Sequence, residues 1–253
     1  MFAIAFLIGV ASAPQERVGR PMPHIGRMAG NPMPLRKYTD ADAHKAHQLF
    51  GECVIKRWPK QAEAYILHPE IDAKERTGLL RKMDLGECLI DIVNVGYADL
   101  QMTFPGDTLR YSLAEPLVRR DYGQAPIADF KAVPALKHRA YNEAEVATWA
   151  KEMKPDELEK AKLSTRGAIF LSGFGECVVR TDPLNSFALI MGQPGSAEDK
   201  AAMTALSGTL ASCLPTGHTL SFDRMQVRGT IANNYFRLAN ALDAARANSR
   251  SAQ

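Results

Sequence analysis

The stretch FGECVIKRWP at residues 50–59 decides the fold, because a near copy, FGECVVRTDP, stands at residues 174–183. The offset is 124 residues, and six of the ten positions carry the same residue. Self-similarity at a fixed spacing is the sequence signature of a repeated structural unit. The two copies therefore predict that the chain contains one unit twice, with a Gly-Glu-Cys triplet at the same place in each.

The match continues downstream of the two copies. Cys88 matches Cys213 at an offset of 125, and Arg110 matches Arg228 at an offset of 118. The fall from 125 to 118 corresponds to seven residues near 90–98 that the second copy lacks. Chance similarity rarely keeps its register over such a length, so we predict two tandem homologous units.

The four cysteines fall two in each unit, 35 and 36 residues apart. Four cysteines allow three pairings, and the duplication favours the one in which each unit closes on itself, Cys53–Cys88 and Cys177–Cys213. Each closure would stabilise the fold by roughly 3–4 kcal/mol in the chain-entropy model. Zinc binding and free thiols are the alternatives, but zinc cysteines usually come as closely spaced pairs with histidine nearby, and the sequence has no such pair.

The first residues, MFAIAFLIGVASA, predict a secretory signal peptide at residues 1–13. An uncharged apolar run, Phe2–Val10, precedes the small residues Ala11-Ser12-Ala13, although no basic residue stands before the run. A short buried helix or a membrane anchor is the alternative, but the run is too short to cross about 30 Å of hydrocarbon. No later segment is apolar and long enough to be transmembrane. Export predicts a periplasmic or secreted protein, in a compartment where thiols oxidise.

Residues 14–37 form a basic leader that is rich in proline and methionine. It holds five prolines, and its five basic residues stand against one acidic residue, which gives a net charge of +4. We predict a disordered leader, and the alternative is a mobile arm that touches anionic lipid or cell-wall polymer. The whole chain carries only +3, which is too weak a charge to indicate nucleic acid binding.

Apolar spacing predicts helices in both units. The first begins at a capping box, Thr39–Asp42, and runs to about Trp58, after which Pro59 and its counterpart open a second helix. A third helix leads to the second cysteine of each unit. A short extended piece with apolar residues at alternate positions, Leu100–Phe104, comes next, and a closing helix ends the unit. In the first unit Pro116 is expected to kink or cut that closing helix.

These elements predict an all-α chain with at most a short extended segment. Its divisions after the leader are repeat unit 1 at 38–121, a linker at 122–159 and repeat unit 2 at 160–253. The linker contains a helix at about 142–153. The C-terminal end of unit 2 is expected to fray from Asn248 onward.

Two repeated Glu–basic pairs are the first candidate polar positions. Glu52 and Lys56 stand four residues apart, as do Glu176 and Arg180, so each pair fits one turn of a helix surface and stabilises it by roughly 0.2–0.5 kcal/mol. A fixed contact from either glutamate to an arginine of the closing helix is one alternative, and a catalytic carboxylate is another. General acid catalysis requires a carboxyl whose pKa is displaced by its surroundings, and the sequence shows no such surroundings.

Arg110 and Arg228 recur at the start of the closing helices. They would either satisfy loop carbonyl groups or bind an anionic ligand, and we favour the structural role. His44 and His47 share a helix face just after two aspartates, which is a conceivable metal set. The second unit has no counterpart to this set, and histidines are common on helix surfaces, so no metal site is predicted.

The sequence carries no catalytic or cofactor motif. It has no G-x-S-x-G elbow, no P-loop, no dinucleotide fingerprint and no H-E-x-x-H. SGFGE at residues 172–176 resembles a glycine-rich loop only superficially, since it lies inside the repeated helix pattern. Scattered aromatic residues do not form a stacking platform for nucleic acid. We therefore predict no catalytic residue, no cofactor and no metal.

The phrases GECVVRTDP, CLPTGHTLSF and VRGTIANNYFRLA resemble a group of uncharacterised exported helical proteins of alphaproteobacteria. The shared pattern is Glu-Cys-Val-Val-Arg, a second cysteine followed by leucine, then L-x-F and an R-G-x-[IL]-A helix. It covers both units, the second better than the first. The first unit departs from it at Tyr111, where the pattern has glycine, and at the insertion after Cys88. The resemblance implies export and a tandem helical plan, and no activity.

For function, we expect a non-enzymatic binding or interaction module of the cell envelope, such as an inhibitor, a chaperone-like protein or an assembly factor, with an envelope protein or polymer as its partner. The alternative is a hydrolase that uses carboxylates in a cleft between the two units. Duplicated units without an asymmetric cluster of Ser, His and Asp favour the first. A deep cleft that joins Glu, Asp and His from both units would favour the second. A cytosolic protein with reduced thiols is the third hypothesis.

Overall fold

Each repeated stretch forms part of a helix that crosses one of two central helices. The computed structural model describes residues 38–70, 73–97, 102, 104, 107–215 and 223–251. Within these ranges the chain is helical or irregular, and no strand is present. The predicted all-α class is therefore confirmed.

The described ranges contain eleven α-helices. In chain order they are α1 (Asp40–Arg57), α2 (Pro59–Leu67), α3 (Ala73–Lys82), α4 (Leu85–Ile92), α5 (Thr108–Tyr122), α6 (Glu143–Glu152), α7 (Pro155–Thr181), α8 (Pro183–Met191), α9 (Ala197–Ala205), α10 (Ser207–Ser212) and α11 (Arg224–Ser251), with a π-helical turn (Val93–Tyr97) after α4. α7 crosses the predicted boundary between the linker and unit 2. The order from α1 to α5 resembles the order from α7 to α11, and the duplication itself stays a prediction.

The helix starts follow from local sequence. The Thr39 side chain accepts from the backbone N–H of Asp42, and the Asp42 carboxylate accepts from the backbone N–H of Thr39, so the predicted capping box is present. Pro59 and Pro183 each occupy the first turn of the helix that they open. Asn142 caps α6, the helix predicted in the linker.

The expectation is that Pro116 kinks or cuts the closing helix of the first unit, and it does not cut it. α5 continues through Pro116, which lies inside the helix and is buried. A proline at this place removes the helical hydrogen bond to the carbonyl group of Ser112. The neighbouring side chains Leu117 and Val118 are fully buried, so the packing of α5 outweighs the lost bond.

The glycine of each Gly-Glu-Cys triplet allows two helices to approach closely. A Cβ atom added at Gly51 of α1 would lie 1.9 Å from the carbonyl oxygen of Ser112 in α5. A Cβ atom added at Gly175 of α7 would lie 2.7 Å from the carbonyl oxygen of Thr230 in α11 and 2.5 Å from Nδ2 of Asn234. A side chain of any size would push these helices apart, so both crossings require glycine.

α5 and α11 pack against each other at the centre and join the two predicted units. At their crossing the Tyr111 side chain lies over Gly229, where an added Cβ atom would be 2.2 Å from the Cβ atom of Tyr111. A single apolar core includes buried side chains of both units, among them Phe50 and Phe174. The chain from Arg36 onward is accordingly one compact unit, in which the two predicted repeats share a core.

Two disulfides link outer helices of this compact unit. Cys53–Cys88 joins α1 to α4, and Cys177–Cys213 joins α7 to the residue that caps α10. All four cysteines are bonded in this way. The predicted pairing, with one disulfide in each half of the chain, is therefore confirmed.

Several predicted segments cannot be compared with the structure. The described residues do not include the predicted signal peptide at 1–13, the predicted leader at 14–37, residues 219–222, which correspond in the second unit to the short extended piece, or the last two residues. Met102 and Phe104 of the first extended piece are described, and neither lies in a strand. α11 continues to Ser251. No helix in the described part of the chain is long and apolar enough to cross a membrane.

Replacing Gly175 by alanine should destabilise the protein by roughly 1–3 kcal/mol, because the new methyl group would overlap α11. Gly173→Ala, two residues earlier on the same helix, is the matched control. A Cβ atom there meets no atom within 4 Å, so this variant should gain roughly 0.5–1 kcal/mol from the loss of a helix glycine. Urea unfolding followed by circular dichroism measures both free energies. Equal effects of the two substitutions would refute the close crossing.

Candidate functional site

The centre of the molecule holds a buried group of charged side chains that we call the ionic cluster: Arg228, Glu115, Asp199 and His44. Arg228 is fully buried, and its Nε and Nη2 atoms donate to the two carboxylate oxygens of Glu115 at 2.7 and 3.0 Å. Its Nη1 atom donates to Oδ1 of Asp199 at 2.8 Å. Bidentate pairing satisfies a guanidinium group whose burial would otherwise be very costly.

His44 extends the ionic cluster to α1. Its Nε2 atom lies 3.1 Å from Oε1 of Glu115. Burial alone raises the pKa of Glu115, but the hydrogen bond from His44 and the charge of Arg228 bring that pKa below its ordinary value. Glu115 is therefore ionised at neutral pH with both oxygens occupied. The cluster links α1, α5, α9 and α11, and its role is structural.

Arg110 and Arg228 each hold the C-terminal end of the second helix of their unit. Arg228 donates to the carbonyl oxygens of Ile190 and Gly192, at 3.0 and 2.7 Å, where α8 ends. Arg110 donates to the carbonyl oxygen of Tyr65 near the end of α2, and its guanidinium lies 4.4 Å from the centre of the Tyr65 ring. Both arginines thus donate to backbone carbonyl groups at helix ends.

A chain of three polar side chains, Ser172, His138 and Glu176, lies on one side of α7. The Oγ atom of Ser172 is 2.7 Å from Nδ1 of His138, and Nε2 of His138 is 2.5 Å from Oε2 of Glu176. Ser172 and Glu176 stand one helical turn apart, so the imidazole of the linker residue bridges them. A hydroxyl bonded to an imidazole that a carboxylate orients is the arrangement of an activated serine.

Glu176 is held in its ionised form. Its Oε1 atom accepts from the backbone N–H of Leu136 at 3.0 Å and from Nε of Arg180 at 2.7 Å. Burial raises the pKa of Glu176, but the hydrogen bonds from His138, Leu136 and Arg180 lower it to about 2. Because ionised Glu176 accepts the Nε2–H of His138, the Nδ1 atom of that ring is left to accept from the Ser172 hydroxyl.

The predicted pair Glu176–Arg180 is present, and it does more than stabilise a helix surface. Arg180 also donates to the carbonyl oxygens of Phe130 and Val133 at 2.9 and 3.0 Å. The pair therefore fastens the linker onto α7, which brings His138 into place.

The corresponding pair in the first unit behaves differently. Glu52 is exposed and accepts from Nε2 of Gln48 at 3.0 Å. No ion pair joins Glu52 to Lys56 in the part of the chain that the structure describes, so the predicted pair is absent there. The two repeated glutamates have therefore diverged in role.

Sequence patterns did not identify Ser172 or His138 as site residues. His138 lies in the linker, outside the repeat, and nothing in the residues around it follows a helical or strand period. The one usable signal is the four-residue spacing of Ser172 and Glu176 on a predicted helix. The structure thus contains an asymmetric cluster of serine, histidine and carboxylate, formed by Ser172, His138 and Glu176. The sequence did not reveal it.

A second histidine–serine contact lies in the first unit. The Nδ1 atom of His47 is 2.9 Å from Oγ of Ser112, and that hydroxyl donates to the carbonyl oxygen of Thr108 at 3.0 Å. Burial and the charge of His44 lower the pKa of His47 to about 4. The pair borders a cavity of about 10 Å³, close to the room that one water molecule needs. In the described ranges no group of three or more metal-ligating side chains is found, at His44 and His47 or elsewhere.

Ser172 also lines a second pocket, of about 20 Å³, that we call the arginine pocket. Its charged and hydroxyl-bearing lining residues are Arg76, Arg110, Arg139, Asp107, Thr165 and Ser172. Three guanidinium groups thus face one carboxylate among the described residues that line it. The pocket lies between α3, the start of α5, the linker and α7.

An apolar patch lies next to the first disulfide, on α4 and the π-helical turn. We define it by Leu89, Ile90, Val93 and Val95, whose side chains are 36, 61, 46 and 61% exposed. These are four of the seven large hydrophobic side chains that are exposed within the described ranges. Three of the four fall within residues 90–98, the segment that the predicted duplication treats as an insertion.

Ion pairs lie beside the apolar patch. Arg57 of α1 pairs with Glu87 and, at 3.0 Å, with Asp91, both on α4. The patch therefore has a polar rim of mixed charge.

Comparison with known proteins gives no relative from which a function can be transferred. No protein-family model, no curated protein and no solved structure matches the chain. The resemblance to exported helical proteins of alphaproteobacteria stays a prediction, and function has to be argued from geometry.

The stability of the protein should fall on acidification from about pH 5 to pH 2, in part because of Glu176. The pKa of Glu176 is about 2 in the folded protein, below its ordinary value of 4.5. The stabilisation that Glu176 contributes is thus fully present at a pH above its ordinary pKa of 4.5. It is lost as the pH falls through its folded-state pKa of about 2. Urea unfolding across this range should show a shallower loss for Glu176→Gln than for the wild type. Exposed Glu52→Gln is the control, and a wild-type acid profile in Glu176→Gln would contradict the assignment.

Proposed function

We propose that the protein is an exported, non-enzymatic binding module of the cell envelope whose binding surface is the apolar patch. The observation that carries this proposal is the concentration of exposed apolar side chains within Leu89–Val95, directly after a cysteine that a disulfide anchors to α1. Exposed apolar patches with a polar rim typically mark sites of protein–protein or membrane interaction.

Export is part of the proposal and has two supports. Disulfides form and persist in oxidising compartments such as the periplasm, and both predicted disulfides are present. Residues 1–13 have the pattern of a signal peptide. We therefore place the protein in the periplasm or outside the cell.

The tandem duplication is also part of the proposal. The equal cysteine spacing, the similar order of helices and the required glycine at both Gly51 and Gly175 support it. On this basis the segment near 90–98 is an addition to one copy of a shared scaffold. Exposed apolar side chains there are not needed for the scaffold, which supports an interaction role.

The partner that we propose is an envelope protein with a complementary apolar face. Glu87 and Asp91 beside the patch carry negative charge that disfavours the anionic surface of a lipid bilayer. Protein interfaces, in contrast, commonly surround an apolar centre with a polar rim. The mixed charges around the patch therefore favour a protein.

The double substitution Ile90→Ser, Val95→Ser should weaken partner binding without unfolding the protein, because both side chains are exposed. The purified protein is immobilised, envelope extract is passed over it, and retained proteins are quantified by mass spectrometry. One defined partner should be retained by the wild type and reduced about tenfold, or 1.4 kcal/mol, by the double variant.

Leu163→Ser is the matched control, since Leu163 is 74% exposed on α7, away from the patch. It should retain the same partner as the wild type. The proposal fails if the wild type and the double variant retain the same proteins in the same amounts.

A hydrolase is the second candidate, and the contacts among Ser172, His138 and Glu176 favour it. Glu176 has a pKa of about 2 and is ionised at neutral pH, so it cannot act as a general acid. The hydrolase candidate therefore rests on Ser172 as nucleophile, with His138 as base and Glu176 as the group that orients the base. It ranks second because the backbone N–H groups around Ser172 lie inside α7 and are used by the helix. An oxyanion would depend on arginine side chains for stabilisation.

A fluorophosphonate probe separates the two candidates. If Ser172 is activated, its Oγ atom bonds to phosphorus, its proton passes to Nδ1 of His138, and fluoride leaves. Mass spectrometry should then find the adduct on Ser172, with none on Ser112, whose hydroxyl is buried, and none in His138→Gln. An unlabelled wild type would remove the hydrolase candidate and leave the binding module.

A further inference from the structure

We propose that the arginine pocket binds a phosphoryl group. The arginine pocket is separate from the apolar patch, so this proposal can be tested independently of the proposed partner surface. The inference rests on an excess of arginine over carboxylate side chains among the described residues that line the pocket.

The guanidinium groups of the pocket are incompletely paired. Arg139 pairs with Glu145 at 2.6 Å, and Arg110 lies 3.6 Å from the Asp107 carboxylate. Arg76 is half-buried and forms no ion pair within the described ranges. It is thus a positive charge at the pocket wall that no carboxylate of the described residues pairs with.

A fourth arginine lies close behind the pocket. Arg237 of α11 is buried, and its Nη1 atom has no hydrogen-bond partner in the described part of the protein. Burial and the nearby charge of Arg110 lower the pKa of Arg237 to about 10. The carboxylates of Glu70 and Glu176 act in the opposite direction on this pKa. The observation that bears on the pocket is therefore the unpaired Nη1 atom of Arg237 together with the nearby charge of Arg110.

The second unit shows how the charge of an arginine at the position of Arg110 can be neutralised within the protein. Arg228, which corresponds to Arg110 at the offset of 118, is bonded to the buried carboxylates of Glu115 and Asp199. By the same offset, Asn233 stands where the other unit has Glu115, and it carries no charge. Of the two acidic residues that balance Arg228, Glu115 thus has an uncharged counterpart, whereas Asp199 corresponds at the offset of 124 to Glu75, which is exposed.

A phosphoryl group matches the arginine pocket better than a carboxylate. It carries nearly two negative charges at neutral pH and three acceptor oxygens, whereas a carboxylate carries one charge. Arg76, Arg110 and Arg139 offer several N–H donors in planar geometry, which suits phosphate oxygens. Thr165 adds a hydroxyl donor at the wall of α7. The pocket is small, so it would receive the phosphoryl oxygens while the rest of the ligand stays outside.

The phosphoryl group has two sources, free phosphate or an anionic phospholipid headgroup, and the test uses one probe for each. Isothermal titration with inorganic phosphate at low salt measures the first. Co-sedimentation with vesicles that contain phosphatidic acid, whose headgroup is a phosphate monoester, compared with phosphatidylcholine vesicles, measures the second. Acetate is titrated alongside phosphate as the carboxylate comparison.

Arg76→Gln is the main variant, because no ion pair to another described residue is lost with it. It should weaken binding of the effective probe about tenfold, the loss expected for one charge-assisted contact. Lys200→Gln is the matched control, because Lys200 is exposed and stands at the corresponding position of the second unit, at the offset of 124. Arg139→Gln is a second variant in which the same loss is expected.

Binding of phosphate that depends on Arg76 would support the proposal with free phosphate as the source. Vesicle binding that depends on Arg76, without binding of free phosphate, would support it with a lipid headgroup as the source. The proposal is overturned if neither probe binds the wild type, if acetate binds as tightly as phosphate, or if Arg76→Gln binds like Lys200→Gln. The variant Ile90→Ser, Val95→Ser should bind phosphate like the wild type, which keeps failure of this site distinct from failure of the apolar patch.

Discussion

The buried bidentate pair between Arg228 and Glu115 is the contact on which the rest of the structure depends. It crosses from α11 to α5 and so joins the two halves of the chain at the centre of the core. A charge in that position is tolerated only when it is fully paired, and His44 and Asp199 complete the pairing from α1 and α9. The ionic cluster thereby holds helices from both halves together at the centre. The two disulfides then link the outer helices to α1 and α7.

Within this structure the repeated FGECV phrase has a physical meaning for four of its five positions. The phenylalanine and valine are core residues, the glycine permits the helix crossing, and the cysteine forms the crosslink. The glutamate alone has diverged between the copies. The functional candidates lie where the two predicted copies would differ: the apolar patch in the proposed insertion, His138 in the linker, and the arginine pocket beside Arg110. On the proposed duplication these features are additions to a shared scaffold, as expected for a binding module.

The helices and the disulfide pairing were predictable because they depend on local patterns, namely apolar spacing, proline at a first helical turn and equal cysteine spacing. The need for glycine at Gly51 and Gly175 was not predictable, since it is set by atoms of another helix. The helix is not cut at Pro116 because the packing of α5 outweighs the local cost of proline. His138 could not be foreseen, because its contact with Ser172 exists only after the linker has folded back onto α7.

A double-mutant cycle on the central ion pair tests this account most directly. Glu115→Leu and Arg228→Met should each lower the free energy of unfolding by about 3–5 kcal/mol, because each leaves a buried charge without its partner. The double variant should lose much less than the sum of the two, with a coupling free energy of about 2 kcal/mol or more in urea unfolding. Losses that add to within about 0.5 kcal/mol would contradict the central role of the pair.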